Sequence, residues 1–317
     1  MAKTSDLTSY FVKATEAAAI AAAKWRGHGD GKLADGAAVE AMRSVFDSVP
    51  FDGRVAIGEG ERDDAPMLWI GEPLGSMQGE EGALQVDIAV DPLECTNHVA
   101  KDLPNAIAVL AAAPRGSLLH APDCYMDKLA GPAEVVGEIS LEADVAYNVE
   151  AAASALDKEI TDLKIVVMDR DRHIDLIKEL RDFGVSVPLI GDGDVAAALD
   201  AANPESDIDL LMGIGAAPEG VITATALRGL GGHFEGRLVT TNEDHERRAK
   251  EMIGDDVYRL WGRDDLCSSS DALFVASGVC SGYLPGVEDL GGRVVVHSEV
   301  IDVASGVRRF ISTEYPQ

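Results

Sequence analysis

Apolar and polar positions follow two different rhythms along the chain. Residues 5–27 place Leu7, Phe11, Ala14, Ala18, Ala21 and Trp25 at helical spacing on one face. A second helix is predicted to open at Asp35 and run through Ala37, Val39, Met42, Val45 and Phe46. Apolar runs at residues 54–57 and 84–90 read as strands. Residues 106–113 and 117–120 read as a hairpin turned by Pro114-Arg115-Gly116. Helices followed by strands make the first half α+β.

After about residue 155 strands and helices alternate. Strands are predicted at 164–168, 185–190 and 208–212, and helices at 174–183, 195–202 and 218–230. Such alternation predicts a parallel sheet with crossover helices. Residues 242–256 read as a charged connector, and late strands are predicted at 272–276, 293–297 and 308–312. No internal repeat or low-complexity tract interrupts the pattern. The expected fold class is α/β, with two α/β-type layers, a cleft between them, and domains over residues 1–155 and 156–317.

Charge narrows the function classes. Across 317 residues, 27 Lys+Arg stand against 55 Asp+Glu, a net charge of −28, with a pI near 4.4. Nucleic-acid binding needs a basic face to neutralise phosphates, so it is disfavoured, as is adhesion to an anionic membrane. With 46% apolar residues the chain has material for a core and is not a disordered acidic tail. Asp outnumbers Glu by 32 to 23 and Arg outnumbers Lys by 17 to 10. An Asp-rich, Lys-poor surface suits a salty environment, and an ordinary acidic cytosolic enzyme explains it equally well. In either case an anionic ligand would need positive charge supplied locally by metals or arginines. The start of the chain lacks a basic-then-apolar signal, no apolar run approaches membrane-spanning length, and Cys95, Cys124, Cys267 and Cys280 form no CxxC. A reducing cytoplasm is the expected location.

Carboxylates gather where predicted strands end. Glu59 and Glu61 follow the strand ending at Ile57, and Asp91 and Glu94 follow the one ending at Val90. Open α/β sheets place ligands beyond such strand ends. Gly58 and Gly60 permit close backbone approach, and Pro92 stiffens the turn that carries Asp91 and Glu94. Carboxylates held this rigidly repel each other unless a hard divalent cation sits among them, so a Mg²⁺ or Mn²⁺ site is the simplest reading.

Four segments carry a resemblance. Ile57-Gly-Glu-Gly-Glu-Arg-Asp-Asp-Ala-Pro-Met67, Asp87-Ile-Ala-Val-Asp-Pro-Leu-Glu94, Ala121-Pro-Asp-Cys-Tyr-Met126 and Gly213-Ile-Gly-Ala-Ala-Pro-Glu-Gly220 resemble class II fructose-1,6-bisphosphatases, some of which also act on sedoheptulose 1,7-bisphosphate. That family lies within the metal-dependent, lithium-sensitive phosphatases that include inositol monophosphatases. The resemblance runs from about residue 8 to about residue 312. It implies the layered sugar-phosphatase fold, a metal-binding first domain, a substrate-binding second domain, and a homo-oligomer, dimer or tetramer.

The resemblance also implies roles. Asp35, Glu59, Asp91, Glu94 and Glu219 fall at positions that bind two or more divalent cations, Mg²⁺ or Mn²⁺. Taken alone, Asp35 reads as a helix N-cap and Glu219 as a carboxylate complementing a helix dipole. Thr96 matches the threonine that orients the attacking water, with Glu61 as its acidic neighbour; alone it is a turn hydroxyl. Substrate contacts fall on Glu94, Cys95, Thr96, Tyr125, Arg170, Asp171, Arg172, Asp192, Gly193, Asp194 and Ala216. Two arginines before a predicted helix suit phosphate capture, and Lys128 is a further phosphate partner. His98 reads as a loop histidine.

The implied activity is hydrolysis of the 1-phosphate of fructose 1,6-bisphosphate, in gluconeogenesis or carbon fixation, with sedoheptulose 1,7-bisphosphate as a second substrate. One position departs from the pattern: the family has glycine where this chain has Cys95, which would strain a left-handed backbone or crowd the phosphate. Two alternatives stay open: a sugar-phosphate sensor weakened in catalysis by Cys95, and an inositol-monophosphatase-like phosphatase. Cys95 also raises the possibility of redox sensitivity, which requires an exposed, low-pKa thiol.

Overall fold

The computed structural model describes residues 2–60, 67–120 and 124–316. Its elements begin with α1 (Thr8–Ala23), α2 (Gly31–Phe46), β1 (Asp52–Ile57), β2 (Pro73–Leu74), β3 (Gln85–Glu94), α3 (Thr96–Lys101) and β4 (Ile107–Pro114). Next come β5 (Tyr125–Gly131), α4 (Val145–Ala155), β6 (Ile165–Met168), α5 (Ile174–Asp182), β7 (Leu189–Ile190), α6 (Asp194–Ala201), β8 (Leu210–Ala216) and α7 (Ala217–Leu230). The last are β9 (His233–Val239), α8 (Glu243–Ile253), β10 (Trp261–Gly262), α9 (Arg263–Leu266), β11 (Leu273–Gly278), β12 (Glu288–Asp289), β13 (Arg293–Asp302) and β14 (Val307–Pro316). Two mixed sheets with helices make the chain α/β. Among the described residues no helix is long and apolar enough to cross a membrane.

The chain forms two compact units. One comprises residues up to Leu119 with those from Cys267 onward, and the other runs from His120 to Leu266. The boundary expected at 155/156 falls at the end of α4, inside the second unit. The late strands return to the first unit because β11 pairs antiparallel with β4, residue by residue from Leu273↔Ala112 to Gly278↔Ile107.

In the first unit the sheet runs β2-β1-β3-β4-β11-β13, with β12 and β14 also paired to β13. Helices α1 and α2 bury Phe11, Ala14, Ala18, Ala38, Met42 and Phe46 in one cluster with Val86, Ile88, Val90 and Leu110 of the sheet. Helix α2 opens earlier than predicted. The Asp30 side chain accepts the Leu33 N–H at 3.0 Å and caps it, which puts Asp35 inside the helix rather than at its cap. The hairpin expected across 114–116 is also corrected. Strand β4, buried along nearly its whole length, lies between β3 and β11, and of residues 117–120 only Leu118 makes a bridge, to Cys267. A fully apolar run suits a central strand better than a hairpin arm.

The second sheet runs β10-β9-β5-β8-β6-β7. Strand β6 is parallel to β7 and β8, as the alternation predicts. Strands β5, β9 and β10, which the pattern did not reveal, pair antiparallel, so this sheet is mixed. Helix α4 also lies outside the predicted elements; Asp144 caps it, its carboxylate accepting the Tyr147 N–H at 2.8 Å. The expected connector 242–256 is instead mostly helix α8. Asn242 caps it through His245 N–H at 2.8 Å, and Arg247–Glu251 and Lys250–Glu246 pairs brace it.

Candidate active site

In the first unit the strand ends assemble carboxylates, and a bulge explains how. In a regular strand residues three apart point to opposite faces. Here Asp91 opposes Val109 while Glu94 opposes Ile107, so three residue steps on β3 match two on β4. The extra residue brings Asp91 and Glu94 onto one face. One carboxylate oxygen of each lies within 4.8 Å of the other. The Asp91 carboxylate also accepts the Leu93 N–H at 3.0 Å, which fixes the turn at Pro92.

Asp35 reaches the same neighbourhood from α2. A Cβ on Gly31 would stand 3.1 Å from the Thr96 carbonyl oxygen, so the starts of α2 and α3 are in contact. Burial, reinforced by the charge of Asp91, pushes the Asp35 carboxyl up to about 6. An all-oxygen donor set of this kind fits a hard divalent cation. Glu59 sits just beyond β1, where its N–H donates to the Leu68 carbonyl at 3.0 Å. Glu61 lies outside the described residues.

Thr96 is the first residue of α3, and Cys95 precedes it with φ 70° and ψ 50°, the left-handed region. The backbone strain expected at this position is therefore present. The Cys95 side chain is 6% exposed and belongs to the core cluster of its unit. A buried thiol does not meet the requirement for redox sensing. The Nδ1 of His98 is 2.5 Å from the Pro104 carbonyl oxygen, a local contact in keeping with its reading as a structural residue.

The second unit gathers most of the residues expected to contact substrate. Tyr125 on β5 lies directly across from Ala216 on β8. The Arg172 guanidinium lies over the Tyr125 ring, 4.9 Å from its centroid, and donates to the Ile214 carbonyl from Nε at 3.1 Å and Nη2 at 2.7 Å. Arg170 is 3.6 Å from the Asp192 carboxylate. Asp171 opens the short turn Asp171–His173 and is exposed. Gly193 takes φ 89° before α6.

Two expectations change here. Lys128 is not presented to an incoming phosphate, and Asp194 is not open to sugar hydroxyls. They are 1% and 6% exposed and form a buried ion pair at 2.5 Å beneath Gly215, where a Cβ would strike both. Glu219 occupies the third position of α7, behind Pro218 in its first turn, where a carboxylate complements the helix dipole. Sequence reasoning does not single out His173, which is 2% exposed; its only signal is its place directly after Arg172 at a strand-to-helix junction.

Close-set carboxylates beside a helix-start threonine, with an arginine–tyrosine stack elsewhere in the chain suited to an anion, put the protein among the phosphoric monoester hydrolases. Residues 5–315 match the family described as bacterial fructose-1,6-bisphosphatase, glpX-encoded, and the chain belongs to it. A D-fructose 1,6-bisphosphatase class 2/sedoheptulose 1,7-bisphosphatase of Synechococcus sp. (strain JA-3-3Ab) is 45% identical over 95% of this chain and 93% of its own. The protein of the same description from Crocosphaera subtropica is 42% identical over 99% of this chain and 97% of its own. A solved inositol monophosphatase from Anabaena (Nostoc) sp. PCC 7120 is 13% identical, covering 62% of this chain and 72% of its own, with a TM-score of 0.33.

Proposed function

We propose that the protein removes the 1-phosphate of fructose 1,6-bisphosphate, giving fructose 6-phosphate and inorganic phosphate, and acts likewise on sedoheptulose 1,7-bisphosphate. Such a step serves gluconeogenesis or carbon fixation in the cytoplasm, and a dimer or tetramer is the assembly expected. The observation that carries hydrolysis is the Asp35, Asp91 and Glu94 set, in which a bulge brings two carboxylates onto one face beside a third whose pKa burial and Asp91 raise. The choice of substrate follows the names of relatives that match nearly the full chain.

Asp35, Glu59, Asp91 and Glu94, with Glu219 in the role the resemblance implies, would hold two or more Mg²⁺ or Mn²⁺ ions. When bound, such cations lower the pKa of water, neutralise phosphoryl oxygens and ease departure of the alkoxide. A chain of net charge −28 repels a bisphosphate, so its metal-free form is expected to bind substrate poorly. Thr96, at the first residue of a helix, offers its hydroxyl to orient the attacking water. Glu61 is the acidic neighbour proposed to accept the proton. No side chain becomes phosphorylated, because water attacks phosphorus directly.

Arg172 is proposed to hold the phosphate that is not cleaved. Two of its N–H groups are spent on Ile214, which leaves three of the five guanidinium donors for a phosphate. Arg170 adds a second charge. Asp192 accepts sugar hydroxyls, while Tyr125, Gly193 and Ala216 bound the sugar. Phosphorus NMR of the product tests the assignment: fructose 6-phosphate is expected, and accumulation of fructose 1-phosphate would reverse the orientation proposed.

A further inference from the structure

We propose that His173 is a positioning residue that locks Arg172 in its phosphate-binding geometry through the backbone of Ile214. The inference rests on the reading above, in which Arg172 meets the substrate phosphate.

The hydrogen bonds define one state of the imidazole. Its Nδ1 lies 2.8 Å from the Met168 carbonyl oxygen at the end of β6. A carbonyl only accepts, so Nδ1 carries the proton. Its Nε2 accepts the Ile214 N–H at 2.8 Å. Only the neutral Nδ1–H tautomer satisfies both bonds. The imidazole thus ties the end of β6 to the middle of β8, at a point where those parallel strands have passed their last paired residues, Val166 and Leu211.

The Ile214 carbonyl is the acceptor for both Arg172 donors. One residue of β8 is therefore gripped at its N–H by His173 and at its carbonyl by Arg172. Gly213 makes room for the ring: a Cβ there would stand 2.9 Å from Nε2, and its φ of 125° is one that side-chain-bearing residues avoid. His173 thus holds the 213–214 peptide and Arg172 the 214–215 peptide. Removing the imidazole loosens this edge of β8, which β5 holds only from the other side, and with it the seat of the guanidinium. An arginine that must be ordered by its ligand binds that ligand more weakly than one held in place.

The surroundings favour the neutral ring. Burial lowers its proton affinity, and Arg172 and Arg170 act in the same direction, while the Met168 carbonyl and Asp127 from β5 oppose them. A second proton would set an N–H on Nε2 against the Ile214 N–H and break the grip. KM is therefore expected to rise at acid pH as His173 charges.

The test uses the full-length chain with Mn²⁺. His173→Ala is expected to raise KM for fructose 1,6-bisphosphate at least tenfold with kcat within threefold. His173→Gln, whose amide can both donate and accept, is expected to bring KM back to within threefold of the parent. The acid rise in KM is expected to vanish in both variants. An unchanged KM in a folded His173→Ala protein, or a fall in kcat alone, would overturn the proposal. Calorimetric binding of fructose 6-phosphate supplies an arm independent of turnover, with at least tenfold weakening expected in His173→Ala. If the parent releases no phosphate yet binds fructose 6-phosphate, the bisphosphatase reading fails alone and this arm still decides the role of His173. A parent that does neither overturns both.

Discussion

Asp91 at the end of β3 raises the charge cost of Asp35 in α2, which burial has already pushed up to about 6. Two carboxylates from separate elements thus repel each other across a short gap. Removing one negative charge should relieve the metal-free protein and harm the loaded one. Asp35→Asn is expected to raise the metal-free Tm, to abolish the Tm increase on adding Mn²⁺, and to lower kcat/KM at least 100-fold. Differential scanning calorimetry and phosphate release check the three together. An ordinary metal-induced Tm shift in the variant would remove Asp35 from the ligand set.

Cys95 occupies a left-handed conformation with its thiol in the core. Glycine would relieve roughly 1–2 kcal/mol of backbone strain. It would also give up the burial of a thiol, on the order of 1 kcal/mol. The two nearly cancel, so Cys95→Gly is expected to change unfolding free energy by no more than about 1 kcal/mol. Its phosphatase activity is expected to rise as the backbone beside Thr96 relaxes. Unchanged or lower activity would show that Cys95 does not handicap the site.

Lys128 and Asp194 illustrate a buried pair whose rupture costs more than its formation gains. Lys128→Met would strand a carboxylate that is 6% exposed. A loss of about 3–5 kcal/mol in urea unfolding is expected. Lys128→Met with Asp194→Asn is expected to regain at least half of that loss. If the double variant is no better than the single, the two residues are not a coupled pair.

His233, on β9 of the second unit, gives a pH dependence of its own. Burial, with Arg263 adding to it, lowers its pKa to about 4 from 6.5. Between those values the unfolded chain takes up a proton that the folded chain does not. Stability from this residue is therefore full above about pH 6.5, is lost as pH falls, and is gone below about pH 4, a span of about 3 kcal/mol. His233→Gln is expected to flatten the acid limb of the stability curve by that amount. An unchanged slope would mean that His233 is protonated in the folded state.

Much of the site was legible because its chemistry lies at strand ends. Glu59 follows β1 as the sequence predicts, whereas β3 runs past Val90 and carries Asp91 and Glu94 in its last four residues. What period counting missed depends on tertiary partners. The bulge at Pro92 and Leu93 exists only in the pairing of β3 with β4. Asp35 reads locally as a cap, yet Asp30 takes that role. Lys128 and Asp194 are 66 residues apart, and each alone resembles a ligand-binding side chain. Strand β9 escaped because its apolar residues are interrupted by Glu235, Gly236 and Arg237. The charged segment at 242–256 looked like a connector because α8 is held by its cap and surface ion pairs rather than by an apolar face.

The most direct test measures inorganic phosphate released from fructose 1,6-bisphosphate, sedoheptulose 1,7-bisphosphate and inositol monophosphate by the chelator-treated protein, before and after adding Mn²⁺. Release from both bisphosphates is expected only with the cation, with inositol monophosphate left intact. Release confined to inositol monophosphate, or binding of the bisphosphates without any turnover, would contradict the bisphosphatase reading.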